Sequence, residues 1–144
     1  MSAIHQISVF LENRAGTLSE VTRALAKDGV NLRAISIAES EDYGVLRLIA
    51  SDLKKATDSL QQNGLVYSVT PVTVVSVPDE PSGLSRLLDL LAQNKIDIEY
   101  LYSLFTHQNG RAYMVFRLEN EAPLLALLSR NGLSPASAEE LDLK

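Results

Sequence analysis

Cysteine is absent from the 144-residue chain. Disulfides, thiolate zinc sites and cysteine nucleophiles are therefore excluded. The two histidines, His5 and His107, are too few for a multi-histidine metal centre. Neither stands in a recognisable motif with a nucleophile and a carboxylate. No apolar run reaches the roughly 18 residues of a membrane helix. The opening MSAIHQISVFLENR lacks the cationic start, apolar stretch and cleavage site of a signal peptide. Basic residues are outnumbered, 13 Lys and Arg against 18 Asp and Glu, for a formal charge of −5. Such a chain repels phosphate backbones and anionic lipid, so neither nucleic acid nor a membrane is expected as a partner. There is no phosphate loop, dinucleotide fingerprint or Gly-x-Ser-x-Gly. No cofactor, metal or catalytic residue is expected, and the chain does not read as an enzyme. What is present is ordinary globular composition, 46% apolar and 22% charged. The expectation is a soluble, cytoplasmic protein.

The chain repeats itself. Two loops, one running from Asn13 to Leu18 and the other from Asp79 to Leu84, each follow a β-like run and precede a helical pattern. The offset of 66 residues pairs Val9 with Val75, Leu18 with Leu84, Leu25 with Leu91, Gly44 with Gly110 and Asn31 with Asp97. In the first repeat the pattern predicts strands at 4–11, 30–38, 45–50 and 65–70 and a helix over 17–27. A second helix is predicted from Leu53 to the stop at Asn63-Gly64. Thr17 with Glu20 reads as a capping box. In the second repeat, strands are predicted at 72–77, 96–105 and 112–118 and helices at 83–93 and 121–129. A last strand at 133–137 is weakened by Pro135, and the acidic residues 139–142 read as a solvated end. The prediction is two domains, residues 1–70 and 71–144. Each is a βαββαβ unit with its helices on one face of an antiparallel sheet, the ferredoxin-like α+β plan.

Function must come from the site and not the fold. Gly16 permits a tight turn or a close backbone approach. The helix behind it presents unpaired N–H groups and a partial positive charge, which suit a carboxylate or a phosphate. Asn13 adds an amide, and Asn31, opening the second strand, is expected near the same end. From loop geometry alone, turn formation is the favoured reading of Gly16 and Asn13. The acidic turn 38–44 reads as a solvated hairpin tip. Tyr100 and Tyr102 share one strand face. Arg33 matches Glu99 at the same offset, with opposite charge.

The run Phe-Leu-Glu-Asn-Arg-Ala-Gly-Thr-Leu from Phe10 to Leu18, followed by Gly29-Val30-Asn31-Leu32, resembles the ACT domain, a regulatory amino-acid-binding module. The whole chain resembles the small proteins made of two tandem ACT domains. The resemblance implies a ligand at the interface between two units, held by Asn13, Arg14, Ala15, Gly16, Thr17 and Leu18 with Asn31. In the second repeat the matching positions are Asp79, Ser82, Gly83, Leu84 and Asp97. There Ser82 replaces Gly16, with glycine one place later, and aspartates replace both asparagines. A helix N-terminus suits the ligand's carboxylate, and an aspartate suits its ammonium. Interfaces of this kind need units side by side. The repeats are joined by little more than Thr70-Pro71, about 7 Å of chain, whereas a seam through second strands needs roughly 24 Å. A homodimer is therefore expected. The alternative is an RNA-recognition-like or purely protein-interaction module of the same topology. The RNA reading needs aromatics on the central strands, and Tyr113 and Phe116 fall on opposite faces.

Overall fold

A computed structural model describes residues 3–12, 14–39 and 42–144. Six strands and four helices lie among them. The chain divides into two compact units, one of Met1–Pro71 with Ala138–Lys144 and one of Val72–Ser137. The first follows the βαββαβ plan and the second the same order as far as its second helix, βαββα, and no helix among the described residues is long and apolar enough to cross a membrane.

The first unit runs β1 (Ile4–Glu12), α1 (Thr17–Lys27), β2 (Leu32–Glu39), β3 (Tyr43–Ala50), α2 (Leu53–Gln62) and the opening residues of β4 (Tyr67–Pro78). The strand order is β2-β3-β1-β4. β3 is antiparallel to both β1 and β2, so β1 and β2 run parallel with β3 between them. Register pairs Ile7 with Leu48 and Val9 with Leu46. Alternation puts these four on one face, where they meet Val21 and Leu25 of α1 and Ala56 and Leu60 of α2. Both helices carry their apolar residues at the spacing that makes one stripe. α2 starts on Asp52, whose carboxylate accepts from the Lys55 N–H at 3.1 Å. Lys54, one turn before Asp58, donates to it at 2.8 Å, and this bond holds the ammonium above its ordinary range.

The second unit takes the later part of β4, then α3 (Gly83–Gln93), β5 (Tyr100–Gln108), β6 (Arg111–Arg117) and α4 (Ala122–Arg130). Its order is β4-β6-β5, with β6 antiparallel to both neighbours. Val75, Val77 and Phe116 form the core with Leu87 and Leu91 of α3 and Leu124 and Leu128 of α4.

α1 and α3 keep the 66-residue offset, as expected. Beyond them the repeat register slips, and Gly44 and Gly110 are not equivalent: Gly44 lies within β3, Gly110 in a turn. The strand predicted at 96–105 starts later, at Tyr100, because the Ile96 N–H is used to close α3 on Leu91 O at 3.0 Å. It also runs further, to Gln108. Asn109 and Gly110 both have positive φ, 55° and 70°, the two-residue turn whose twist lets paired strands continue to its edge.

The chain end differs most from expectation. No strand forms at 133–137; Ala136 N donates to Val74 O at 2.8 Å. The acidic side chains Glu139, Glu140 and Asp142 are exposed, as expected, but the segment that carries them is packed down. Ala138 and Leu141 are buried. Lys144 donates its N–H to Ser51 O at 2.9 Å, and its carbonyl accepts from the Leu53 N–H at 2.8 Å. That last bond satisfies one of the donors that a helix N-terminus leaves open, here on α2.

Candidate functional site

Asn13 lies outside the described residues, as do Ser40 and Glu41 of the acidic turn. The rest of the first loop is in view. Gly16 is the N-cap of α1, in left-handed conformation at φ 93°. The expected capping box is not formed, because Gly16 occupies the cap and Thr17 is the first helical residue. The Thr17 hydroxyl instead reaches back to the carbonyls of Glu12 and Arg14, at 3.0 and 3.1 Å. Glu20, the other half of the expected box, faces Arg14 at 3.9 Å, while the Arg14 Nε bonds Glu12 at 3.2 Å. These side chains stitch the loop to the helix and leave its top open. Arg14, Ala15, Gly16 and Leu18 are exposed. The N–H groups of Leu18 and Ser19 precede any intrahelical acceptor and have no acceptor among the described residues.

Asn31 lies elsewhere. β2 ends with Glu39 opposite Gly44, while Tyr43 stands opposite Glu12, so the loop end of the sheet is the Glu39 end. Leu32 pairs with Ala50 at the other end. Seven residue steps of strand separate the two ends, roughly 23 Å. Asn31 is therefore not beside Gly16 in the same unit, against the expectation. The parallel relation of β1 and β2 requires this: the loop leaves the C-terminal end of β1, and Asn31 enters at the N-terminal end of β2. The Asn31 backbone is fixed by Ser51, whose Oγ accepts from the Asn31 N–H at 3.0 Å and whose N–H donates to Asn31 O at 2.8 Å. The Asn31 side chain is exposed and has no hydrogen-bond partner among the described residues.

At this end a polar cleft of about 220 Å³ is lined by Gly29, Arg33, Ser51, Asp52, Lys55 and Lys144 among others. The Arg33 Nε is buried there without a partner among the described residues. Sequence reasoning noted Arg33 only as a charge opposite Glu99. Ser51 and Lys55 were missed as parts of a cleft, because it closes only when the chain end returns to Ser51. Glu99 stays in its own unit, 3.8 Å from Arg117 Nε.

The second loop is tied differently. Asp79 faces His107 at 3.2 Å, and its N–H donates to Gly110 O at 2.8 Å. Arg86 bonds Glu80 at 2.7 Å and Ser82 Oγ at 3.0 Å. Gly83 is buried, and a Cβ placed on it would overlap the Pro78 carbonyl oxygen. It is thus a close-packing glycine, unlike the open Gly16. Leu84 is half-buried; Ser82 and Asp97 are exposed. The structure brings Asp79, Ser82, Gly83 and Leu84 together and leaves Asp97 apart, just ahead of β5.

Tyr100 and Tyr102 share a face, as expected, with rings stacked at 6.3 Å. Tyr113 and Phe116 do lie on opposite sides of β6, and Phe116 is buried in the helix-side core. No group of three or more metal-ligating side chains is found among the described residues.

Residues 2–141 match a family model described as an ACT domain pair. No curated protein matches the chain. Protein BT0572 from Bacteroides thetaiotaomicron is 37% identical over 97% of this chain and 96% of its own, with a TM-score of 0.87. The ligand-free regulatory subunit of aspartate kinase from Thermus thermophilus is similar in fold, at 17% identity and TM-score 0.63 over 90% of this chain and 93% of its own. The corresponding subunit from Thermus flavus gives 18% and 0.54 over 88% and 92%.

Proposed function

The chain belongs to the family of ACT domain pairs, and on that premise we propose that it is a non-catalytic regulatory module binding an amino acid at an interface between ACT units. The observation that carries this reading is the division of the site. The open donors of the first loop stand at one end of the sheet, and the idle amide of Asn31 stands at the other. One unit cannot close both around a small molecule, so the reading needs a second unit alongside. In it the loop from Asn13 to Leu18 takes the ligand's carboxylate on the α1 N-terminus, and Asn31 of a neighbouring unit bonds the same ligand.

The second repeat acts through different groups. Asp97, at the position matching Asn31, offers a carboxylate for an ammonium. The loop from Asp79 to Leu84 is closed by its own side chains and makes the weaker contact. The repeats are residues 1–70 and 71–144, with Ala138–Lys144 packed back into the first unit, and the molecule works as a homodimer.

A thermal-shift screen against the standard amino acids tests the reading. A ligand present at 100 times its dissociation constant adds about 2.7 kcal/mol of stability. If no amino acid or small carboxylate shifts the melting temperature at millimolar concentration, the reading fails.

A further inference from the structure

The outer edge of β4 in the second unit is unfinished. In the first unit the Phe10 N–H of β1 donates to Val66 O at 3.0 Å. The residue 66 places on from Phe10 is Ser76. Here the chain after α4 supplies a bond from Ala136 N to Val74 O and forms no strand. Since Val74 O points away from β6, alternation along the strand points the N–H and C=O of Ser76 away from β6 as well. A cleft of about 260 Å³ opens along this edge, walled by Leu87, Leu90 and Leu133 and bordered by Ser76, Pro78 and Arg111.

The free polar groups of this cleft are donors. Arg111 is held over the strand edge, its Nε donating to Ser76 Oγ at 2.7 Å and its Nη2 to Ser76 O at 3.0 Å. Those bonds consume the edge carbonyl. They leave Nη1 without a partner among the described residues, and the Ser76 N–H has none either. Arg86 also lines the cleft, but its guanidinium is held by Glu80 at 2.7 Å, so Arg111 is the cation that faces a ligand there. Pro78 carries no N–H. An added peptide strand needs donors and acceptors in alternation and finds no free carbonyl at Ser76. An α-amino acid brings an ammonium, and no carboxylate lines the cleft to receive it. A carboxylate on a short hydrocarbon chain meets both the donors and the leucine walls, the combination of apolar lining and few polar groups expected of a small-molecule site. We infer that this cleft, which meets the second loop at Gly83 and lies otherwise along the β4 edge, is a further ligand site for a small monocarboxylate without an ammonium group.

Isovalerate is the probe, with isovaleramide as its uncharged counterpart and leucine as its ammonium-bearing one. Each is titrated into the full chain and followed by heteronuclear NMR. At millimolar concentration isovalerate is expected to give saturable shifts at the Ser76, Leu90 and Leu133 amides, which isovaleramide and leucine leave unmoved. Arg111→Gln is expected to weaken isovalerate about tenfold through loss of a charge-assisted bond. That variant also loses its bonds to Ser76, so Leu133→Glu is the second. Leu133 is 40% exposed, and a carboxylate there repels the probe without disturbing the core. It is expected to abolish the shifts at an unchanged melting temperature. No saturable shift with isovalerate, an equal response to isovaleramide or leucine, or unchanged binding in Leu133→Glu overturns the inference.

Discussion

Gly16 and Gly83 open the two matching helices, yet each is required for its own reason. At Gly16 an added Cβ meets nothing within 4 Å, but φ is +93°. Alanine there holds a strained left-handed backbone, costing about 1–2 kcal/mol. At Gly83 the backbone is unremarkable in φ and the obstacle is the Pro78 carbonyl oxygen. Gly83→Ala must push α3 off the end of β4, an overpacking cost of about 1–3 kcal/mol. Urea denaturation of the two variants, compared with m-values, measures both. A neutral Gly83→Ala would mean that α3 does not sit this close to Pro78. Asn31 and Ser51 separate binding from folding in the same way. Ser51 Oγ accepts the Asn31 N–H, so Ser51→Ala is expected to cost about 1 kcal/mol. The Asn31 side chain is exposed and unpartnered, so Asn31→Ala is expected to stay within about 0.5 kcal/mol of the parent while weakening amino-acid binding. Loss of stability without loss of affinity in Asn31→Ala would remove it from the site.

The segment Ala138–Lys144 is the element whose role depends most on tertiary context. It buries Leu141 and Ala138 and joins Ser51 and Leu53 at the start of α2. Leu141→Asp is expected to destabilise the first unit by about 2 kcal/mol or more, since it places a charge where an apolar side chain was buried. Amide exchange at Leu53 is expected to quicken with it, because the Lys144 carbonyl no longer covers that N–H. Unchanged exchange at Leu53 would show that the segment is not needed to cap α2. Sequence pattern alone missed this element because Ala138 and Leu141 show no helix or strand periodicity. Their burial is decided by a surface more than eighty positions away in the chain. α1 and α3, in contrast, are legible to the residue. Their apolar stripes at Val21–Leu25 and Leu87–Leu91 need only the helix period to be read. The capping box failed in between: Thr17 and Glu20 have the right spacing, but Gly16 in left-handed conformation takes the cap position first. The place of Asn31 was legible in principle, since a split β-α-β unit makes β1 and β2 parallel and so sets its loop and Asn31 at opposite ends.

That opposition sets the requirement for the assembled molecule. β2 lies at the edge of the first unit's sheet, and an edge strand presents unpaired backbone groups that invite a partner. A two-fold axis across two such edges runs the strands antiparallel. It then brings Asn31 of one unit to the Glu39 end of the other, where the first loop lies. Ligand binding and association are therefore expected to be linked, because a ligand bound only by the paired form favours pairing by mass action. Sedimentation equilibrium at micromolar concentration is expected to show a homodimer that tightens when the amino acid found by thermal shift is added. Ile37, on β2, is 50% exposed, so Ile37→Asp is expected to leave the unit folded. Two such charges facing each other across the edge repel, and the variant is expected to lose the dimer and the ligand together. A monomer that binds the amino acid as tightly as the parent, in either protein, would show that no second copy of the chain is needed to complete the site.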